Sequence, residues 1–213
     1  MPIFYTQDID QATKLGIWKI EEEEDFFLSK VSVQRNITHP HKRLQHLAGR
    51  YLLKYLFPDF PVSLIKVADT LKPFLENEAF HFSISHCGDF AAVIVSKHLR
   101  VGVDIEIPNE KVARIKYKFL HEDELSVVEN WQSVDRPVTP LQTLTTLWSC
   151  KEAIFKWWSF GKVDFKENIR LNPVTVLEEG MVQAAYVSGE MTALQVKYKV
   201  FDELCLAFVC NPV

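Results

Sequence analysis

The stretch AFHFSISHCGDFAAVIVSKHLRVGVDIE, residues 79–106, decides how this chain is read. It alternates, it is rich in β-branched and aromatic residues, and it breaks at Cys87–Asp89 and at Lys97–Arg100, so it predicts two or three strands joined by tight turns. Its last six residues, VGVDIE, put Asp104 and Glu106 two positions apart. In a strand, side chains at i and i+2 share a face, so the two carboxylates point together and Ile105 points away. Asp is a poor strand former, and two neighbouring carboxylates repel each other unless a cation lies between them. A divalent ion of the Mg²⁺ type suits such hard oxygen ligands. An edge strand with both acids in solvent satisfies the same pattern, and these six residues do not choose between the two.

Upstream of this block, HPHKRLQHLAGRYLLKYLFPDFP (39–61) has Leu44, Leu47, Tyr51, Leu52 and Tyr55 at helical spacing between prolines. It predicts a helix over about 41–57 carrying Lys42, Arg43 and Arg50. EEEED (21–25) reads as a solvated turn or helix end. Downstream, HEDELSVVENW (121–131) predicts a short helix, and TPLQTLTTLWSCKEAIFKWWSFG (139–161) gives the strongest helical pattern in the chain, starting at Pro140 and stopping near Gly161. Residues 174–210 read as strands with turns at Gly180 and Gly189. A helix leading to strands that end in FAAVIVS is echoed about 100 residues later by a helix leading to strands that end in CLAFVC, which suggests a repeated α+β unit.

On the 139–161 helix, Leu147, Cys150, Ile154 and Trp158 form an apolar stripe, widened by Trp148 and Phe155. Lys151 falls inside the apolar arc and Glu152 at its edge, with Lys156 one turn beyond Glu152. A surface Glu152–Lys156 pair accounts for two of these charges. Lys151 is different: a lysine on the buried side needs an anion near it.

These two motifs together resemble the signatures of the 4′-phosphopantetheinyl transferases. G-[IV]-D-x-E is matched by Gly102, Val103, Asp104 and Glu106, and [FW]-[SCT]-x-K-E-[AS]-x-x-K by Trp148, Ser149, Lys151, Glu152, Ala153 and Lys156. The resemblance extends to FSISHCGDFAAVIVS with its Ser85–His86 pair, to LKP (71–73) with Leu71 in place of a glycine, to RLQHLAGRYLLKYL with Arg43 and Arg50, and to FLHEDEL, where Glu124 takes the family's glutamate position. A chain of 213 residues is similar to the larger, surfactin-synthetase-activating class. That class implies an α+β pseudo-dimer of two similar halves, here 1–107 and 108–213. Each half is a small antiparallel sheet packed with a long helix, and the active site lies in the cleft between the halves.

The resemblance implies transfer of the 4′-phosphopantetheine arm of coenzyme A to a serine of an apo acyl or peptidyl carrier protein, with release of adenosine 3′,5′-bisphosphate. It implies Mg²⁺, with Mn²⁺ as an alternative, on Asp104, Glu106 and Glu152. Glu152 or a water on the metal is the base, and Lys156 and Lys151 contact phosphates. Arg43, Arg50, Lys72, Ser85 and His86 are the further coenzyme A contacts it implies. A glycine-rich segment that often follows the second signature is replaced here by WWSFGKVDF (157–165).

Composition sets the remaining bounds. At 47% apolar residues the chain has material for a full core. A net charge of −4 excludes a global basic field, so no nucleic acid is expected as a partner. The four cysteines form no C-x-x-C pair, the N-terminus lacks a basic, apolar leader, and no apolar run is long enough to span a bilayer. The expectation is a reduced, cytoplasmic monomer without membrane attachment. Two other classes fit parts of the pattern: a degenerate homologue that binds coenzyme A or a carrier without turnover, and an Mg²⁺ phosphodiesterase with a similar acidic cluster.

Overall fold

The computed structural model describes residues 3–32, 37–70, 72–129 and 138–212. Leu71 and the last two residues of the helix expected over 121–131 lie outside them. In chain order the elements are β1 (Ile3–Asp10), β2 (Thr13–Lys19), α1 (Glu24–Leu28), α2 (Pro40–Leu56), β3 (Lys66–Val67), β4 (Pro73–Phe74), β5 (His81–Cys87), β6 (Phe90–Ser96), β7 (Leu99–Glu106), α3 (Glu110–Phe119), α4 (Glu122–Glu129), α5 (Pro140–Trp158), β8 (Ile169–Leu171), β9 (Glu179–Ser188), β10 (Glu190–Val200) and β11 (Cys205–Pro212). The class is mixed α+β with antiparallel pairing.

The chain divides into two compact units, residues 1–101 with 212–213, and residues 102–211. The sequence placed the division after Ile107. The segment 102–107 lies instead in the second unit, where β7 takes its ladder from β11.

The first unit has a four-stranded sheet in the order β1-β2-β6-β5. Strand β6 is buried at every position, which is why FAAVIVS reads as a continuous apolar run rather than an alternating one. Helix α2 lays Leu47, Ala48, Leu52 and Leu53 on Trp18, Ala91, Val93 and Val95. Each of those leucines is fully enclosed, and burying one stabilises the fold by about 2 kcal/mol before chain entropy is subtracted.

The second unit has a five-stranded sheet in the order β7-β11-β10-β9-β8. Helix α5 starts with Pro140 at its first turn and a reciprocal cap between Thr139 and Gln142. It buries Leu144, Leu147, Cys150, Ile154 and Trp157 in a core shared with Tyr186, Val196 and Tyr198. Trp157, not Trp158, closes this stripe; Trp158 is half-buried and stacks on Tyr186 at 4.2 Å between ring centres. All four cysteines are free thiols, with Cys150 and Cys205 buried. No helix among the described residues is long and apolar enough to cross a membrane.

Candidate functional site

In the second unit the site begins with a missing side chain. A Cβ added at Gly102 would lie 2.1 Å from the Ala153 carbonyl oxygen and 2.7 Å from the Trp157 amide nitrogen. Only glycine lets β7 press on the backbone of α5 this closely. Two residues further along β7, Asp104 is 3% exposed and faces the helix that carries Glu152 and Lys156. Lys156 Nζ lies 2.6 Å from Asp104 Oδ1. Burial, reinforced by the charges of Asp104 and Glu106 and opposed by the pull of Lys156, raises the Glu152 carboxyl to about 7. The three acids expected to act together are thus within electrostatic reach of one another, and one of them resists ionisation.

Among the described residues, no three Asp, Glu, His or Cys side chains stand in a ready-made metal-binding arrangement. The Lys156 ammonium holds Asp104 Oδ1 and acts as a stand-in cation there. The donor set still fits a hard divalent ion in kind. It consists of carboxylate oxygens, and the mutual repulsion that adds to burial in raising Glu152 is what a cation would relieve.

Lys151 is placed elsewhere. Its side chain is 0% exposed, and its ammonium donates to Glu124 Oε2 at 2.7 Å, to the Phe165 carbonyl at 2.9 Å and to the Ile169 carbonyl at 2.7 Å. An ammonium has three protons, and all three are taken. The buried lysine has the anion it requires, but that anion is Glu124, and the phosphate contact expected of Lys151 is not prepared. Burial still lowers the affinity of Lys151 for its proton, with Glu124 opposing the fall.

The first unit holds a cavity of about 350 Å³ lined by Lys42, Gln45, His46, Arg50, Val67, Pro73, Ile84 and His86. Of the expected coenzyme A contacts, Arg50 and His86 are brought together here. Ser85 is not: it follows Ile84 on β5, points to the opposite face and is 5% exposed. Arg43 turns to α1, where Nε and Nη2 donate to the two carboxylate oxygens of Glu24 at 2.8 and 2.7 Å. Lys72 adjoins Pro73, and burial lowers it to about 8, helped by the positive charge of Arg100. Gln45 and His46 were missed in the sequence, although Lys42, Gln45, His46 and Arg50 fall at i, i+3, i+4 and i+8 on one helix face. Gln45 also donates to the Gly88 carbonyl at 2.8 Å, which ties the β5–β6 turn to the helix.

Comparison with known sequences adds two findings. Residues 100–209 match the sequence profile of the 4′-phosphopantetheinyl transferase superfamily. A 4′-phosphopantetheinyl transferase of Aneurinibacillus migulanus, gsp, is 26% identical over 186 residues, covering 76% of this chain and 75% of that protein.

Proposed function

The chain belongs to the 4′-phosphopantetheinyl transferase superfamily, and on that premise we propose that Asp104, Glu106 and Glu152 hold a divalent cation while a carrier-protein serine attacks coenzyme A. The general reaction of a transferase of this kind is the movement of a 4′-phosphopantetheinyl group. The proposed donor is coenzyme A and the proposed acceptor a serine hydroxyl of an apo acyl or peptidyl carrier protein. The serine oxygen forms a bond to the β-phosphorus of the diphosphate. The bond from that phosphorus to the bridging oxygen breaks, and adenosine 3′,5′-bisphosphate leaves.

Mg²⁺ on the three carboxylates would supply charge neutralisation at the diphosphate. The chain's own residues account for the rest. Lys156, partly exposed and already seated on Asp104, moves its ammonium to a phosphate oxygen as a point charge. Glu152 is the group assigned to receive the serine proton. In the first unit, Lys42, Arg50 and His86 present cationic or hydrogen-bonding groups to one cavity, and we assign a phosphate of coenzyme A to it. Lys72 is a further phosphate contact on the same reading, with the protein acting as a cytoplasmic monomer.

The observation that carries this reading is the meeting of Asp104 with Lys156 beside a Glu152 whose carboxyl is raised by burial and, in addition, by its acidic neighbours. The test is incubation with coenzyme A, Mg²⁺ and a panel of apo carrier proteins, followed by intact-mass measurement. A carrier gains the phosphopantetheine mass, and chelation of the metal prevents the gain. Coenzyme A binding with no carrier modified would point to the non-catalytic homologue. Loss of coenzyme A without any carrier present would point to a phosphodiesterase.

A further inference from the structure

Lys151 and Glu152 are neighbours in the sequence, yet the structure gives them opposite tasks. The Glu124 carboxylate is 2% exposed as a residue and accepts three hydrogen bonds, each of 2.7 Å. Oε2 takes the Lys151 ammonium and the His121 amide at the head of α4, and Oε1 takes the Leu171 amide of β8. The other two protons of Lys151 go to the carbonyls of Phe165 and Ile169, in the segment that follows α5. One buried ion pair therefore joins α4, α5, β8 and the 165–169 segment.

The second hold on α5 is Gly102, which lets β7 rest against Ala153 and Trp157. At 3.6 residues per turn, Ala153 lies about 200° around the helix from Lys151, and Glu152 lies about 100° from each. The helix is gripped on two faces, and Glu152 projects between the grips.

We propose that the Glu124–Lys151 pair is a positioning device for the transfer reaction: it fixes the rotation of α5 and so the direction of Glu152 and Lys156, and Lys151 does not touch coenzyme A. This rests on the transferase reading of Glu152 and Lys156. A buried pair of this kind has a distinctive signature. Removing one partner strands a charge, whereas removing both leaves a site that can repack. A phosphate ligand behaves otherwise, since no change at Glu124 can replace a lost contact to substrate.

The experiment compares wild type, Lys151→Met, Glu124→Gln and the double variant Glu124→Gln/Lys151→Met, at a temperature where melting curves show each to be folded. Each single variant loses about a hundredfold in kcat with little change in the KM for coenzyme A, because the reacting groups are misplaced rather than the ligand released. The double variant recovers to within about tenfold of wild type. A double variant as inactive as Lys151→Met, with a raised KM, overturns the proposal. A wild type that modifies no carrier overturns the transferase reading and the positioning role with it.

Acetylation of native wild-type lysines, mapped by mass spectrometry with and without coenzyme A, decides the matter even if the double variant fails to fold. Lys156, 25% exposed at its side chain, is the accessible control. Lys151 stays unmodified in both samples on this proposal. Labelling of Lys151 in the free protein, with protection by coenzyme A, overturns it.

Discussion

Gly102 is the residue at which one added methyl group does most. A Cβ there would sit 2.1 Å from a backbone oxygen, and no rotamer change can relieve a clash with backbone. Gly102→Ala is expected to cost about 1–3 kcal/mol through overpacking, read as a lower melting temperature, and to reduce transfer by moving Asp104 away from α5. An unchanged melting temperature would deny the close strand–helix contact. Asp104→Ala tests the chemistry separately. It removes a carboxylate from beside a lysine that still reaches solvent, so the fold should survive while transfer falls by about a hundredfold or more. Full activity in that variant would remove Asp104 from the proposed metal site. The sequence made these residues legible because D-x-E on a strand and K-E on an apolar helix face both pose an electrostatic problem. It exposed the need of Lys151 for an anion without naming Glu124, because that contact joins positions 27 residues apart in the chain and depends on how α4 meets α5. Arg43 was drawn toward Glu24 by a similar long-range pairing that no local pattern announces.

Helix α5 is the element on which the proposed chemistry depends, and its start is secured by Thr139 and Gln142. Thr139→Ala should cost about 1 kcal/mol of stability, a fall of a few degrees in melting temperature, and leave the KM for coenzyme A unchanged. A larger change in KM than in melting temperature would show that the cap bears on the site directly. This helix and α2 were readable because each begins at a proline and carries a periodic apolar face. Strands β5, β6 and β7 were readable from their breaks at Cys87–Asp89 and at Lys97–Arg100. By contrast, α3 gave little sign of itself: Glu110, Lys111, Arg114, Lys116 and Lys118 outnumber Val112, Ile115 and Phe119, so its apolar face is narrow. Strand β1 was silent for a related reason. It lies at the sheet edge with no fully buried position, so burial wrote no strong pattern into it.

For the whole molecule, burial holds both Glu152 and Lys72 against their charged forms. Glu152 is raised from its usual 4.5 to about 7, so folding is favoured by its neutral form; this contribution is complete below about 4.5 and is lost as pH rises through 7. Lys72 is lowered from its usual 10.5 to about 8, so its contribution is absent below 8 and is gained as pH rises toward 10.5. Between 7 and 8 the ligand-free protein has neither advantage. Its melting temperature should show a shallow dip there; Glu152→Gln should flatten the acid side of the dip and Lys72→Met the alkaline side. A profile identical in both variants would refute these assignments. The enclosed thiols of Cys150 and Cys205 have a practical consequence. Both belong to residues 102–211, and burial keeps Cys205 at about 11, far from its reactive thiolate form. A maleimide dye should therefore reach this pair only when that half of the chain opens, and the slow phase of fluorescence gain would clock its breathing in the intact enzyme, with Cys87 and Cys210 supplying any faster signal.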